Sequence, residues 1–132
     1  MKVFTSKTQK IGEIGEKLAK MFLMKHGYSL VESNYTQKFG EIDIVAKKGA
    51  VWHFVEVKSV SRVTLDDVSS ETSGFRPEEN MHPKKIERFT KAVQYYLMTH
   101  DLDDVDYQID LALVYIDQTN KKGRVVLMQS VV

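Results

Sequence analysis

The chain contains no cysteine, which excludes a disulfide framework and any metal centre built on thiolates. It has only two prolines in 132 residues, so little in it interrupts continuous helices and strands. No run approaches the ~18 consecutive apolar residues of a membrane-spanning helix. The opening stretch MKVFTSKTQKIGE lacks the apolar segment of a signal peptide, so the cytoplasm is the expected location. A glycine-rich phosphate loop and a nucleophile elbow are both missing. So are internal repeats and low-complexity tracts. His26, His53, His82 and His100 show no metal-ligand spacing.

What is present is ordinary in bulk. The apolar fraction of 42% and the charged fraction of 28% fit one soluble domain, residues 1–132, with a buried core. The net charge of +1 conceals an asymmetry. Residues 1–62 carry 11 Lys and Arg against 6 Asp and Glu, a balance of +5; residues 63–132 carry 8 against 12, a balance of −4. A basic half is compatible with a polyanionic partner, and solvated lysines on helix faces account for it equally well.

Apolar residues at three- and four-residue spacings, Ile11, Ile14, Leu18, Met21 and Phe22, predict a helix over 8–27. Ser6 with Gln9 makes a capping box, and Gly27 a stop. Strands are predicted over 28–35, 41–48 and 50–60, the last two forming a hairpin about Gly49. Residues 61–82 are polar and aperiodic, a long loop of the kind that is either functional or disordered. Pro83 suits the first turn of a second helix, whose apolar stripe includes Ile86, Phe89, Val93 and Tyr96. The segment 107–117 is a buried strand, and 124–132 a last one after a Lys-Lys-Gly turn at 121–123. The expected architecture is α/β, in the order α-β-β-β-α-β-β, with a mixed sheet flanked by helices in two or three layers.

The stretch GEIDIVAKKGAVWHFVEVKSVSR, residues 40–62, carries chemistry inside that sheet. Alternation in a strand places Glu56 and Lys58 on one face with Trp52 and Phe54, and Val51, His53, Val55 and Val57 on the other. In the preceding strand Glu41, Asp43 and Val45 share one face, and Ile42, Ile44 and Ala46 the other. A hairpin sets Asp43 beside Glu56, at about 5 Å. Two carboxylates so close repel unless a cation or a shared proton intervenes. Magnesium or manganese suits such oxygens, and the Val57 carbonyl adds a ligand. Lys58 offsets the charge, positions an attacking water and stabilises charge on a phosphoryl group. Glu16, near the small residues Gly12, Gly15 and Ala19, joins the cluster if the first helix packs closely on the sheet. The same residues also allow a plain Glu56–Lys58 salt bridge on a solvated sheet face, with Glu16 at the surface.

The ordered set GEIGEKLA (12–19), GEIDIVA (40–46), FVEVKS (54–59), RPEENMHPKK (76–85) and YQIDLALV (107–114) resembles a small prokaryotic family often called YraN-like. That family falls within the PD-(D/E)xK nuclease superfamily, with its restriction-endonuclease-like core. The resemblance covers most of the chain. It implies a metal site of Asp43 and Glu56, Lys58 as catalytic lysine and Glu16 as helix carboxylate. Archaeal Holliday-junction resolvases are similar in layout, which implies branched DNA rather than RNA as substrate. A homodimer is expected too, since symmetric cuts in two strands ask for two sites. The chain departs from the superfamily pattern at Ile42, where the signature proline is missing, and at Val60, where the family usually has an arginine. Arg62 is then the nearest substitute. The departure at Val60 opens an alternative: a nucleic-acid-binding module that keeps the fold without turnover.

Lys84, Lys85 and Arg88, off the apolar stripe of the second helix, are candidate phosphate contacts or simply a solvated face. Asp110, inside an apolar strand, is either a second layer behind the metal or a buried structural acid.

Overall fold

A computed structural model describes residues 7–62 and 83–132. The Ser6–Gln9 capping box and residues 63–82 of the expected loop lie outside the described residues.

Helix α1 (Lys7–Lys25) ends at the expected glycine. Gly27 N–H reaches the Met24 carbonyl at 3.2 Å and Tyr28 N–H the Leu23 carbonyl at 2.9 Å. This closure needs a left-handed residue, and Gly27 has φ +89°. Tyr28 then leads into the sheet, buried in one cluster with Leu23.

Five strands follow: β1 (Ser29–Gln37), β2 (Gly40–Lys48), β3 (Val51–Arg62), β4 (Asp106–Asp117) and β5 (Lys122–Met128). They lie across one sheet in sequence order. Neighbours are antiparallel except β3 and β4. A parallel pair requires a crossover, which helix α2 (Pro83–Thr99) supplies, opening on proline as expected. The two helices cover opposite faces. Ala19 and Leu23 of α1 pack with Ile44, Val55 and Val114. Phe89, Ala92 and Val93 of α2 pack with Ile42, Val45 and Phe54. Adjacent residues such as Phe54 and Val55 thus serve different layers, the period-two pattern of a strand buried on both sides. The architecture is three-layered, in the expected order α-β-β-β-α-β-β. No described helix is long and apolar enough to cross a membrane.

β5 ends at Met128, short of the expected 132, and the elements differ from expectation at three further places. β3 runs on to Arg62, pairing with β4 over its whole length. The last turn is 118–121 rather than 121–123: Asp117 Oδ1 accepts the Asn120 N–H at 3.0 Å and Oδ2 accepts Asn120 Nδ2 at 2.9 Å. Gly123 lies within β5 instead, because α1 crosses there and a Cβ would meet Leu18 Cδ1 at 2.5 Å. The third difference shapes the site. Ile44 and Ala46 pack beneath α1, but Ile42 packs beneath α2. Asn34 is the cause. It lies in β1 between Ser33 and Tyr35, whose partners are Ile44 and Ile42, and its φ is +54°. One left-handed residue turns the strand pair, so β2 changes faces between 42 and 44. Asp43 sits at that change.

Candidate metal centre and its clefts

The β2–β3 ladder runs from Lys48 and Val51 to Ile44 and Val55. The next opposed residues are Asp43 and Glu56, where the backbones part. Asp43 replaces the missing partner with its side chain: Oδ2 accepts the Val57 N–H at 2.8 Å. A buried donor abandoned by the ladder is thereby satisfied. N–H and C=O of a strand residue share an edge, so the Val57 carbonyl lies on this side as well.

Glu56 is buried beside Asp43. Burial pushes the Asp43 carboxyl up to about 9; the hydrogen bond with Glu56 and the charge of Glu56 act the same way, and the Val57 N–H acts against them. Asp43 therefore carries a proton at neutral pH, and the two carboxyl groups share it. Lys85 Nζ lies 3.1 Å from Glu56 Oε2.

Two clefts meet at this pair, and both are lined by Asp43 and Lys85. The first, about 800 Å³, runs under α1 and takes in Glu16, Lys17, Lys20, Lys58 and Ser59. The second, about 580 Å³, runs between the β1–β2 turn and α2 and takes in Lys38, Phe39, Glu56 and Arg88. Glu16 is half-buried, with Oε1 accepting from Asn34 Nδ2 at 2.9 Å and facing Lys20 Nζ at 3.2 Å. Its place depends on Gly15, where a Cβ would collide with Ser59 Oγ. Gly15 and Ala19 are the small residues that let α1 approach; Gly12 is exposed and meets nothing. Gly15→Ala is expected to lower stability by about 1–3 kcal/mol, although alanine is the better helix former. Ser59→Gly should restore most of the loss. Urea midpoints of the three proteins check this, and an unchanged midpoint for Gly15→Ala contradicts it.

The structure thus gathers Asp43, Glu56, the Val57 edge, Lys58 and Glu16 around one ladder end. Lys58 is exposed in the first cleft, and the cation on Glu56 is Lys85. Lys84 is exposed and is not part of either lining; Arg88 lines the second cleft. Val60 packs with Leu111, Leu113 and Tyr115, so the position where the family has arginine belongs to an apolar cluster. Asn34 was not foreseen, although an asparagine in a strand-like segment is a sign of left-handed backbone. Asp110 is a structural acid. It is fully buried and accepts from Gln108 Nε2 and Ser130 N–H, with His53 Nδ1 at 2.7 Å. His53 faces away from Glu56, packed against Tyr28, as strand parity requires.

A metal held here would meet oxygen donors. Among the described residues no three His, Cys, Asp or Glu converge. Two carboxylates and a backbone carbonyl are oxygen donors, suited to a hard cation that retains waters, magnesium or manganese, and not to zinc.

Residues 15–114 match the family model described as Uncharacterised protein family UPF0102. The chain is 40% identical over 108 residues to a UPF0102 protein of Campylobacter fetus, covering 82% of this chain and 84% of that one. It is 38% identical over 108 residues to one of Nitratiruptor, covering 82% and 85%. With one of Alkaliphilus metalliredigens it shares 35% over 114 residues, covering 86% and 92%. Among solved structures, Pyrococcus furiosus SfsA in complex with Ca²⁺ is similar at 14% identity and a TM-score of 0.38. That alignment covers 92% of this chain and 63% of that one, a likeness too weak to carry an argument.

Proposed function

The chain belongs to the UPF0102 family, and from that premise and the arrangement at the ladder end we propose a metal-dependent nuclease that hydrolyses phosphodiester bonds in DNA. One observation carries the reading: a half-buried Asp43 beside a buried Glu56, placed where two clefts that hold lysines and an arginine meet. A carboxyl kept neutral at pH 7 by burial, and then by a neighbouring carboxylate, is characteristic of functional sites, and a divalent cation is a natural replacement for its proton. Asp43, Glu56 and the Val57 carbonyl would hold that cation. When bound, magnesium or manganese supplies charge stabilisation on the phosphate oxygens and a more acidic water. Lys58 positions the attacking water and meets the charge that grows on phosphorus oxygens. Glu16, anchored by Asn34, accepts that water's proton. The family resemblance favours branched or otherwise structured DNA.

Incubation with junction, flap and single-stranded DNA plus manganese tests the proposal. Cleavage is expected, and Lys58→Ala should slow it by about 10²–10³-fold without weakening metal binding. No cleavage of any substrate, or cleavage indifferent to Lys58, overturns it. Val60 supports a second reading, a nucleic-acid-binding module without turnover, because its apolar packing leaves no guanidinium there. Salt-dependent binding that survives Asp43→Ala and Glu56→Ala, with no cleavage, is the result that favours that module.

A further inference from the structure

The two clefts differ in chemistry. The first offers lysines and hydroxyls beside the acids Glu13, Glu16 and Asp43, and no aromatic ring is among its described lining residues. Its lysines suit contacts to a phosphate backbone. The second combines a ring, a guanidinium, an amide and an ammonium: Phe39, Arg88, Gln37 and Lys38. A face for stacking, a group for hydrogen bonding and cations for phosphate make a nucleotide site.

Its parts are held in register by the backbone. Gly40 follows Phe39, and a Cβ there would lie 2.5 Å from the Arg88 carbonyl. The β1–β2 turn therefore abuts α2 directly, and Phe39 and Arg88 line the same cleft. Phe39 is half-buried, its ring 5.4 Å from Tyr95 at 70°, and it has no stacked partner among the described residues. Arg88 and Lys38 are exposed. Glu41, also in the lining, repels a phosphate but can accept from the amino group of a base. The volume of about 580 Å³ suits one nucleotide.

We propose that the second cleft holds one unpaired nucleotide next to the scissile phosphate, its base stacked on Phe39 and its phosphate on Arg88 and Lys38. A base paired within a duplex has both faces in the stack and cannot offer one to Phe39. The substrate class is therefore DNA with an unpaired nucleotide at the cleavage point: a single strand, a flap or the open centre of a junction. This rests on the nuclease reading for its position and refines the substrate of that site.

Fluorescence anisotropy in excess EDTA, where no cleavage occurs, separates binding from chemistry. The probes are a labelled 12-nucleotide oligothymidine and a labelled 12-base-pair duplex. Phe39→Ala is expected to weaken oligothymidine binding about 5- to 100-fold and duplex binding less than twofold. Phe39→Trp should keep the affinity, with its emission quenched by the oligothymidine. Arg88→Gln, at an exposed position harmless to the fold, should lower the salt slope by about one. Unchanged oligothymidine binding by Phe39→Ala, equal losses on both probes, or an unchanged salt slope in Arg88→Gln each overturns the subsite. If Phe39→Ala discriminates between the probes while no DNA is ever cut, the nuclease reading fails and the subsite stands. If DNA is cut and the discrimination is absent, the subsite alone fails.

Discussion

Asp43→Asn is expected to yield a protein more stable than the parent in the absence of metal and unable to use it. The carboxyl of Asp43 ionises at about 9 in the folded chain and near its ordinary value, 3.8, when unfolded. Below about pH 4 both states hold the proton and folding loses nothing. Between 4 and 9 the folded state must retain a proton that the unfolded state releases, so stability falls as pH rises, by up to ~1.4 kcal/mol per pH unit. Above 9 the loss is complete and constant. Asparagine removes the titration. Its Oδ1 still accepts from Val57, and its Nδ2 donates to Glu56 where the shared proton lay. Allowing for relaxation around a coupled pair, the gain at pH 8 is of the order of 2 kcal/mol. Urea unfolding in EDTA at pH 5 and pH 8 measures it: the difference between the two proteins should be small at pH 5 and grow by pH 8. Manganese at a hundred times its Kd should stabilise the parent by about 2.7 kcal/mol and leave the variant unmoved. Cleavage should fall by at least about 10³-fold in the same protein, since one ligand and one charge are gone. A variant less stable than its parent at pH 8, or one stabilised equally by manganese, sinks this account. The carboxyl pair would then be an ordinary structural contact. Stability held below its attainable value for the sake of chemistry is a common property of active sites.

Much of this site was legible because strand parity is a strong constraint. A period of two puts Trp52, Phe54 and Glu56 on one face, and the structure finds the first two beneath α2 and Glu56 on Lys85 of α2. The stop at Gly27 and the start at Pro83 are local backbone chemistry and need no tertiary information. Parity failed at Ile42, because a single left-handed residue on the neighbouring strand turns the pair. A pattern read along one strand cannot register a distortion imposed from the next. The identity of the cation on Glu56 was hidden for a related reason. Lys58 is two residues away in the chain, but Lys85 arrives from the crossover helix, and crossing position is set by packing of Phe89, Ala92 and Val93. Gly12 and Gly15 look alike in sequence; only the approach of α1 to Ser59 tells the structural glycine from the solvent-facing one.

On the proposed reading, a cation that binds this pair displaces the proton of Asp43, which makes metal affinity depend on pH. At pH 7 the Asp43 carboxyl, with its value at about 9, is almost wholly protonated. Magnesium binding should therefore release about one proton per site. Isothermal calorimetry in two buffers of different ionisation enthalpy counts it directly. The apparent affinity should rise about tenfold per pH unit from 6 to 8 and level off above 9, about a fiftyfold gain between pH 7 and pH 9. Glu56→Gln takes away a hydrogen-bonding carboxylate and its charge, two of the causes that hold Asp43 up, while burial remains. In that variant the plateau should begin at lower pH and the proton count at pH 7 should fall below one, although binding is weaker for want of a ligand. An affinity that is flat from pH 6 to 9, with no dependence on buffer, means that the cation does not displace this proton and that Asp43 is not its ligand. A slope present in the parent and displaced in Glu56→Gln ties the metal to this one pair, since His53 and Asp110 lie on the opposite face of the sheet, beneath α1 with Tyr28.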